Sequence, residues 1–310
     1  MKSYYRVMLG QGSKHAAACF AGGFIGTDFE IHQDLTGKLP EKWRQFNQTF
    51  IPIFLSIRPE KTKIGAGLAC GALWVVSKGI LKEDVVLCPD GAARYRIGVV
   101  TGEYYYAPGE ILPHRRPVRW LSEIIDRADM SEGLQNSSGS VGTVSNLSRA
   151  GYNEEIEKLL GGIPVTPAAS SDPAVEDGSA FALEKHLEDF LVKNWAQTDL
   201  GRDYTIYTEA GEPIGQQYQT YTGPLDILAV SKDQKHLLVV ELKKGRASDA
   251  VVGQTLRYMS YVQEELAESG QIVRGAIIAH EDDPRIRRAL MMTPNIVFYR
   301  YQVSFKLVKT

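Results

Sequence analysis

The sequence predicts a chain of β and α/β class in two modules: a small first module built from strands, and a second with a mixed sheet flanked by helices. Three observations predict it. A chain of 310 residues exceeds the common size of a single domain. The stretch "GGIPVTPAASSDPAVEDGSA", residues 161–180, is rich in Pro, Gly, Ala and Ser and has no apolar period, so it reads as a linker. Before it the pattern is short strands with frequent glycine; after it helix and strand patterns alternate. The expected division is a first domain over 1–131, a short helix with linker over 132–180, and a second domain over 181–310.

A hydrophobic content of 44 % is enough to build cores in both modules. No apolar stretch is long enough to span a bilayer, and "MKSYYRVMLGQGSK" lacks the apolar block of a signal peptide, so no membrane and a cytoplasmic location are expected. Cys19, Cys70 and Cys88 are odd in number, widely spaced and flanked by small or apolar residues, which fits buried thiols better than a zinc site or a disulfide framework. The net charge of −2 is uneven: residues 1–120 hold 16 Lys and Arg against 10 Asp and Glu, leaving the remainder at −8. A basic first module fits a polyanionic partner, and an excess of this size also occurs on ordinary surfaces.

In the first module "ALWVVSKGI" and "DVVLCPDGAARYRIGVVTGEYYYAPG" read as strands with "PDG" as a turn, which suggests a curled sheet or small barrel. "NEEIEKLLGG" places Ile156, Leu159 and Leu160 on one helical face and ends on glycines. Beyond the linker, "FALEKHLEDFLVKNW" has apolar residues at 183, 187, 190, 191 and 195, a helical stripe. Strands follow at "DYTIYTE", "LDILAV" and "HLLVVEL", then a long helix over "DAVVGQTLRYMSYVQEELAE". A strand "VRGAIIA", a helix "PRIRRALMM" and strands "NIVFYRY" and "SFKLV" complete the order.

In "HLLVVELKKG" strand alternation turns Glu241 and Lys243 one way and Leu242 the other, and across a hairpin Asp226 can join them. Two carboxylates and the Leu242 carbonyl suit a hard cation such as Mg²⁺. A nearby lysine can orient or deprotonate an attacking water and offset charge building on a phosphate. The same spacing also suits a solvated Glu-Lys pair at a strand end, with Asp226 as a turn residue. His186 reads as a surface residue and His280 as a capping or solvated histidine at a strand end. The chain contains no G-X-X-X-X-G-K-[ST] loop, and no ATP use is expected.

Asp226 followed by "VVELKKG", "VVGQTLRYMSYVQEEL" and "VRGAIIAHEDD" resembles the PD-(D/E)XK nuclease domain of the NucS/EndoMS branch, related to the Mrr-type restriction nucleases, over residues 180–300. The resemblance implies that Asp226, Glu241 and an acid on the first helix hold Mg²⁺ or Mn²⁺, that Lys243 serves the attacking water, and that Gln254 lies beside the site. Tyr258 is one helical turn from Gln254. For the first-helix acid the resemblance favours Glu184 over Glu188. Pro224 and the length of the segment from Gln216 to Tyr221 depart from the family pattern.

"GVVTGEYYYAPGEILPHRRPVRWL", with "GILKEDVVLCPDG" before it, resembles the PUA/EVE-like barrels found at the front of modification-dependent restriction proteins, over residues 60–122. That resemblance implies an aromatic cage for a flipped or modified base, drawn from Phe29, Trp74, Tyr104, Tyr106 and Trp120, with Arg115, Arg116 and Arg119 on phosphates. The alternative is that the tyrosines pack a barrel and the arginines form its solvated edge. The resulting expectation is a Mg²⁺-dependent DNA endonuclease of a restriction or phage-defence system that acts on modified DNA. A mismatch or branched-DNA endonuclease and a non-catalytic DNA-binding module are the alternatives. Double-strand cutting by a one-site chain suggests a homodimer.

Overall fold

A computed structural model of the chain describes residues 2–139, 142–149, 151–161, 187–209, 212–220, 223–282 and 284–302. The chain divides into two compact units: the first holds Met1–Gly178 with Glu209–Ile214 and Gln219–Gly223, and the second Ser179–Thr208, Gly215–Tyr218 and Pro224–Thr310. Both are mixed α/β, each around one mixed sheet.

The first unit runs β1 (Tyr4–Val7), α1 (Ala16–Gly22), β2 (Phe24–Thr27), α2 (Trp43–Ile57), α3 (Lys63–Trp74), β3 (Val85–Pro89), β4 (Arg94–Val100), β5 (Tyr105–Tyr106), β6 (His114–Asp126), α4 (Glu132–Ser138), β7 (Val144–Asn146) and α5 (Asn153–Leu160). Its strand order is β2-β6-β4-β3-β1-β7, with β5 also on β6. Only β1 and β3 pair in parallel. Successive residues of β1 and β3 feed opposite cores: Tyr5, Val7, Val86 and Cys88 one, and Tyr4, Val85 and Leu87 the other. With both faces covered, these strands read as apolar runs rather than alternating ones.

Three expectations change here. Among the described residues the first sheet is an open row with β2 and β7 at its ends, the sheet form of the two expected and not the PUA/EVE-like barrel. "ALWVVSKGI" is not a strand but the end of α3 and a wide helical turn over Val75–Gly79. Its apolar run is helical because Thr62 caps α3, accepting the Gly65 N–H at 3.1 Å, and because small residues let α2 lie close. A Cβ on Gly71 would stand 2.2 Å from the Trp43 ring. Phe46, Phe50 and Phe54 recur every four residues along α2 and pack with Cys70 and Leu73 of α3. Residues 132–161, expected to be a short helix and linker, instead belong to the sheet and its core. There β7 pairs antiparallel with β1, and Leu134, Leu147, Tyr152 and Ile156 join the second core. The linker proper and the final strand "SFKLV" lie outside the described residues.

The second unit runs α6 (187–193), α7 (Asp199–Asp203), β8 (Tyr204–Ile206), β9 (Gln216–Thr220), β10 (Gly223–Ser231), β11 (His236–Arg246), α8 (Ala250–Tyr261), β12 (Ile272–Glu281), α9 (Pro284–Met291) and β13 (Ile296–Arg300). The sheet order is β13-β12-β11-β10-β8 with β9 on β10. The pairs β10–β11 and β10–β8 are antiparallel, while β11–β12 and β12–β13 are parallel. This is the expected mixed sheet with helices. One face buries Ile227, Ala229, Leu238, Val240, Leu242 and Ile278 with Trp195 and Leu200. The other receives α8, which lies close over Gly275 of β12: a Cβ there would stand 2.7 Å from Met259 Sδ and 3.0 Å from Thr255 Cγ2.

No helix among the described residues is long and apolar enough to cross a membrane. All three cysteines are free and buried, and burial pushes the Cys19 and Cys70 thiols up to about 11 and about 12.

Filling the gap at Gly275 should lift α8. Gly275→Leu is expected to cost about 1–3 kcal/mol of unfolding free energy by denaturant titration, as overpacking does. A second prediction concerns His114, which is fully buried. Its Nε2–H donates to the Ile31 carbonyl at 2.8 Å, so Nδ1 accepts from the Tyr104 hydroxyl at 3.0 Å, and burial holds the imidazole below its ordinary value. The unfolded chain takes up this proton near pH ~6.5 and the folded chain resists it. The stabilisation is therefore complete above that pH and is lost as pH falls below it. Between pH 7.5 and 5.5 the melting temperature of the wild type should fall more steeply than that of His114→Gln.

Candidate active site

The register of β10 on β11 sets Ile227 opposite Val240 and Leu228 opposite Val239, and one further step brings Asp226 opposite Glu241. Ile227, Val240 and Leu242 point into the core on one face, so alternation turns Asp226, Glu241 and Lys243 to the other, the face that α8 covers. The half-buried Asp226 accepts the Leu242 N–H on Oδ2 at 2.7 Å. Glu241 is only 2 % exposed, and its Oε1 lies 3.6 Å from Lys243 Nζ. Carboxylates at facing positions repel each other, and the lysine and the backbone donor offset part of that repulsion.

From α8 comes Tyr258, whose buried hydroxyl donates to the Pro224 carbonyl at 2.8 Å. Burial pushes the phenol up to about 12, the Glu241 and Asp226 carboxylates push the same way, and a hydrogen bond from Gln254 opposes them. Gln254 and Tyr258, one turn apart, therefore stand together beside the two carboxylates. Tyr258 is both a satisfied core tyrosine and a neighbour of the site.

Glu184 and His186 lie outside the described residues. Glu188, on α6, is buried at 3 % exposure. Its Oε1 accepts from Gln216 Nε2 at 2.7 Å and its Oε2 from Gln217 Nε2, which also donates to Asp226 Oδ1 at 3.2 Å. The two glutamines were not singled out in the sequence, and their signal is only that two long amides precede the aspartate by nine and ten residues. His280 is exposed at the end of β12, 3.7 Å from Glu281, and takes no part in this cluster. Among the described residues no group of three or more His, Cys, Asp or Glu is set to hold a metal ion. Two all-oxygen carboxylates beside a backbone carbonyl nonetheless suit Mg²⁺, which commonly takes one or two carboxylates and completes its shell with water and phosphate.

In the first unit three of the five expected cage residues share one core and Trp120 packs on another. Phe29, Trp74 and Tyr104 pack on the α2–α3 core, and Trp74 stacks on Trp43 at 6.2 Å. Trp120 packs on another core, edge-on to Phe20 at 4.9 Å, with its Nε1–H on the Cys19 carbonyl at 3.2 Å. Tyr106 lies 5.1 Å from the His114 ring. Arg115 and Arg116 are buried and donate to their own chain, Arg115 to the Ile111 and Leu112 carbonyls and Arg116 to those of Val76 and Ser77. The guanidinium of Arg115 also covers the Phe24 ring at 3.9 Å. Both arginines thus brace loops and helix ends where phosphate contacts were expected, and of the three only Arg119 is exposed.

Residues 184–302 match the Endonuclease NucS C-terminal domain family, and residues 5–148 match a Domain of unknown function (DUF8426). Endonuclease NucS of Methanopyrus kandleri is 23 % identical over 176 residues, covering 57 % of this chain and 61 % of the relative. Endonuclease NucS of Methanocaldococcus jannaschii is 35 % identical over 78 residues, 25 % of this chain and 28 % of the relative. The chain therefore spans less than two thirds of the curated relatives it matches. A repair endonuclease from Pyrococcus abyssi is 15 % identical, with a TM-score of 0.32 over 69 % of this chain and 66 % of its own. The Asp226, Glu241 and Lys243 cluster thus lies in a region similar to the C-terminal domain of the NucS/EndoMS endonucleases.

Proposed function

We propose that the chain is a divalent-metal-dependent DNA endonuclease of the mismatch or repair kind. The observation that carries this reading is the convergence of Asp226, Glu241 and Lys243 on one sheet face, beside Gln254 and Tyr258. In this reading Asp226, Glu241 and the Leu242 carbonyl hold Mg²⁺ or Mn²⁺, and Glu184, outside the described residues, is the further acid that the family resemblance implies. When bound, the cation offsets the negative charge that builds on the phosphate. Lys243, 3.6 Å from Glu241, orients the attacking water and shields the charge developing on the phosphate. Tyr258 stays neutral and holds the Pro224 carbonyl, which fixes the approach of β10 to the site.

The family matched by residues 184–302 and the relatives in sequence carry the name Endonuclease NucS, which supports the mismatch-endonuclease reading over restriction or phage defence. The defence reading drew on a base cage; of its candidates Phe29, Trp74 and Tyr104 pack on one core and Trp120 on another. The discriminating experiment incubates the full chain with Mg²⁺ or Mn²⁺ and a panel of plain, methylated, hydroxymethylated, glucosylated, mismatched and branched duplexes. Preferential cutting of mismatched or branched DNA is expected. Cutting confined to modified DNA would restore the defence reading, and cutting of none would remove the enzyme claim and leave a DNA-binding module.

Two variants separate the assigned roles. Lys243→Ala is expected to keep metal-dependent DNA binding and lose about 10²–10³ in cleavage rate, the usual worth of one group that stabilises charge in the transition state. Asp226→Ala is expected to lose both metal binding and cleavage. Cleavage by Lys243→Ala at the wild-type rate, measured in single turnover, would refute its role.

A further inference from the structure

Gln217 stands in β9 with φ 50°, in the left-handed region that a residue with a Cβ seldom occupies outside turns. Its amide nitrogen donates to two carboxylates, Oε2 of Glu188 and Oδ1 of Asp226 at 3.2 Å. A primary amide has two N–H groups, so each carboxylate receives its own hydrogen and neither has to be protonated for the pair to stand close. Asp226 is then gripped at both oxygens, Oδ1 by Gln217 and Oδ2 by the Leu242 N–H at 2.7 Å. Rotation of the carboxylate breaks one grip or the other.

Glu188 differs from the other acids of the cluster in what surrounds it. At 3 % exposure it has lost most of its water, and both of its oxygens accept amide hydrogens, Oε1 from Gln216 and Oε2 from Gln217. Such donors replace the water that burial removes. The carboxylate oxygens in turn orient the glutamine amide, as a buried acid commonly orients the ligand that a metal uses.

We propose that Gln217 is a positioning residue for Asp226, anchored by Glu188, and that it sets the divalent-cation affinity of the site without itself touching the cation. This rests on the nuclease reading above, since it takes Asp226 as a cation ligand. Without the amide, Asp226 Oδ1 and Glu188 Oε2 each lose the donor that Gln217 supplies between them. The site then has to be ordered by the arriving cation.

The test is Mn²⁺ binding to the full chain without DNA, read by the loss of the free Mn²⁺ paramagnetic resonance signal. Gln217→Met has similar length and no donors, and its Kd is expected to rise about 10–100-fold. Gln216→Met removes a donor from the same Glu188, and its Kd is expected to change less than about threefold, on the argument that only Gln217 reaches Asp226. Cleavage by Gln217→Met should recover with excess Mn²⁺ while its KM for DNA stays at the wild-type value. If Gln217→Met does not fold, as circular dichroism would show, Gln217→Asn keeps the amide on a shorter stem and is expected to show the same rise in Kd. Wild-type Mn²⁺ affinity in the folded Gln217 variant, or an equal loss in Gln216→Met, would overturn the proposal alone. A wild-type chain that binds no Mn²⁺ would overturn the nuclease reading together with it.

Discussion

The hydrogen bond from the Leu242 N–H to Asp226 Oδ2, 2.7 Å across the end of the β10–β11 hairpin, is the contact on which the rest of the site depends. It joins the side chain of one strand to the backbone of the next at the point where Asp226 and Glu241 come opposite each other. Strand side chains alternate, so a slip of one residue would send Glu241 and Lys243 into the apolar core with Ile278 and bring Leu242 to the site. The apolar residues on the far face make that slip costly, and the bond to Asp226 adds a polar reason for the same register. Chemistry and packing therefore specify one arrangement.

Collecting acidic groups on a buried face is electrostatically unfavourable, and the second unit meets that cost locally. Lys243 stands 3.6 Å from Glu241, Gln217 divides its amide between Glu188 and Asp226, and Gln216 serves Glu188 again. Neutral donors do most of this work. Helix α8 closes the face, and it can come near enough to set Gln254 and Tyr258 beside the carboxylates because Gly275 leaves no Cβ beneath Thr255 and Met259. Parallel pairing of β11 with β12 carries the strand past the site, from Glu241 opposite Ile277 to Lys243 opposite Ala279. The lysine is thus held on an ordered strand and not on a loop.

In the first unit the aromatic and basic residues are used differently. Arg115 and Arg116 have exchanged water for backbone carbonyls, and the buried imidazole of His114 ties Tyr104 to the Ile31 carbonyl. Two N–H groups of Arg115, and Nε, Nη1 and Nη2 of Arg116, are used in this way to support the fold. Trp74 and Trp120 likewise spend their indole N–H groups on the Pro40 and Cys19 carbonyls.

The sequence by itself determined the composition break, the strand-and-helix order of the second unit apart from α7 and β9, and the Asp226, Glu241 and Lys243 set. Each of these is carried by local spacing: period 2 in "HLLVVEL", period 3.6 in α8, and an acid after Gly-Pro. The helix α5 with Ile156 inward was legible for the same reason. Only the tertiary structure decided that "ALWVVSKGI" is helical, because an apolar run with glycines suits either state until α2 packs on it through Trp43 and Gly71. Burial of Arg115 and Arg116 was equally hidden, since strand residues in "HRRPVRW" cannot announce which carbonyls the chain will bring to them. The partnership of Glu188, Gln217 and Asp226 joins a helix to two strands, with 29 residues between the first two and 9 between the last two. No local period encodes that meeting. It arises when the sheet fixes β9 beside β10 and brings the Gln217 amide within reach of both carboxylates.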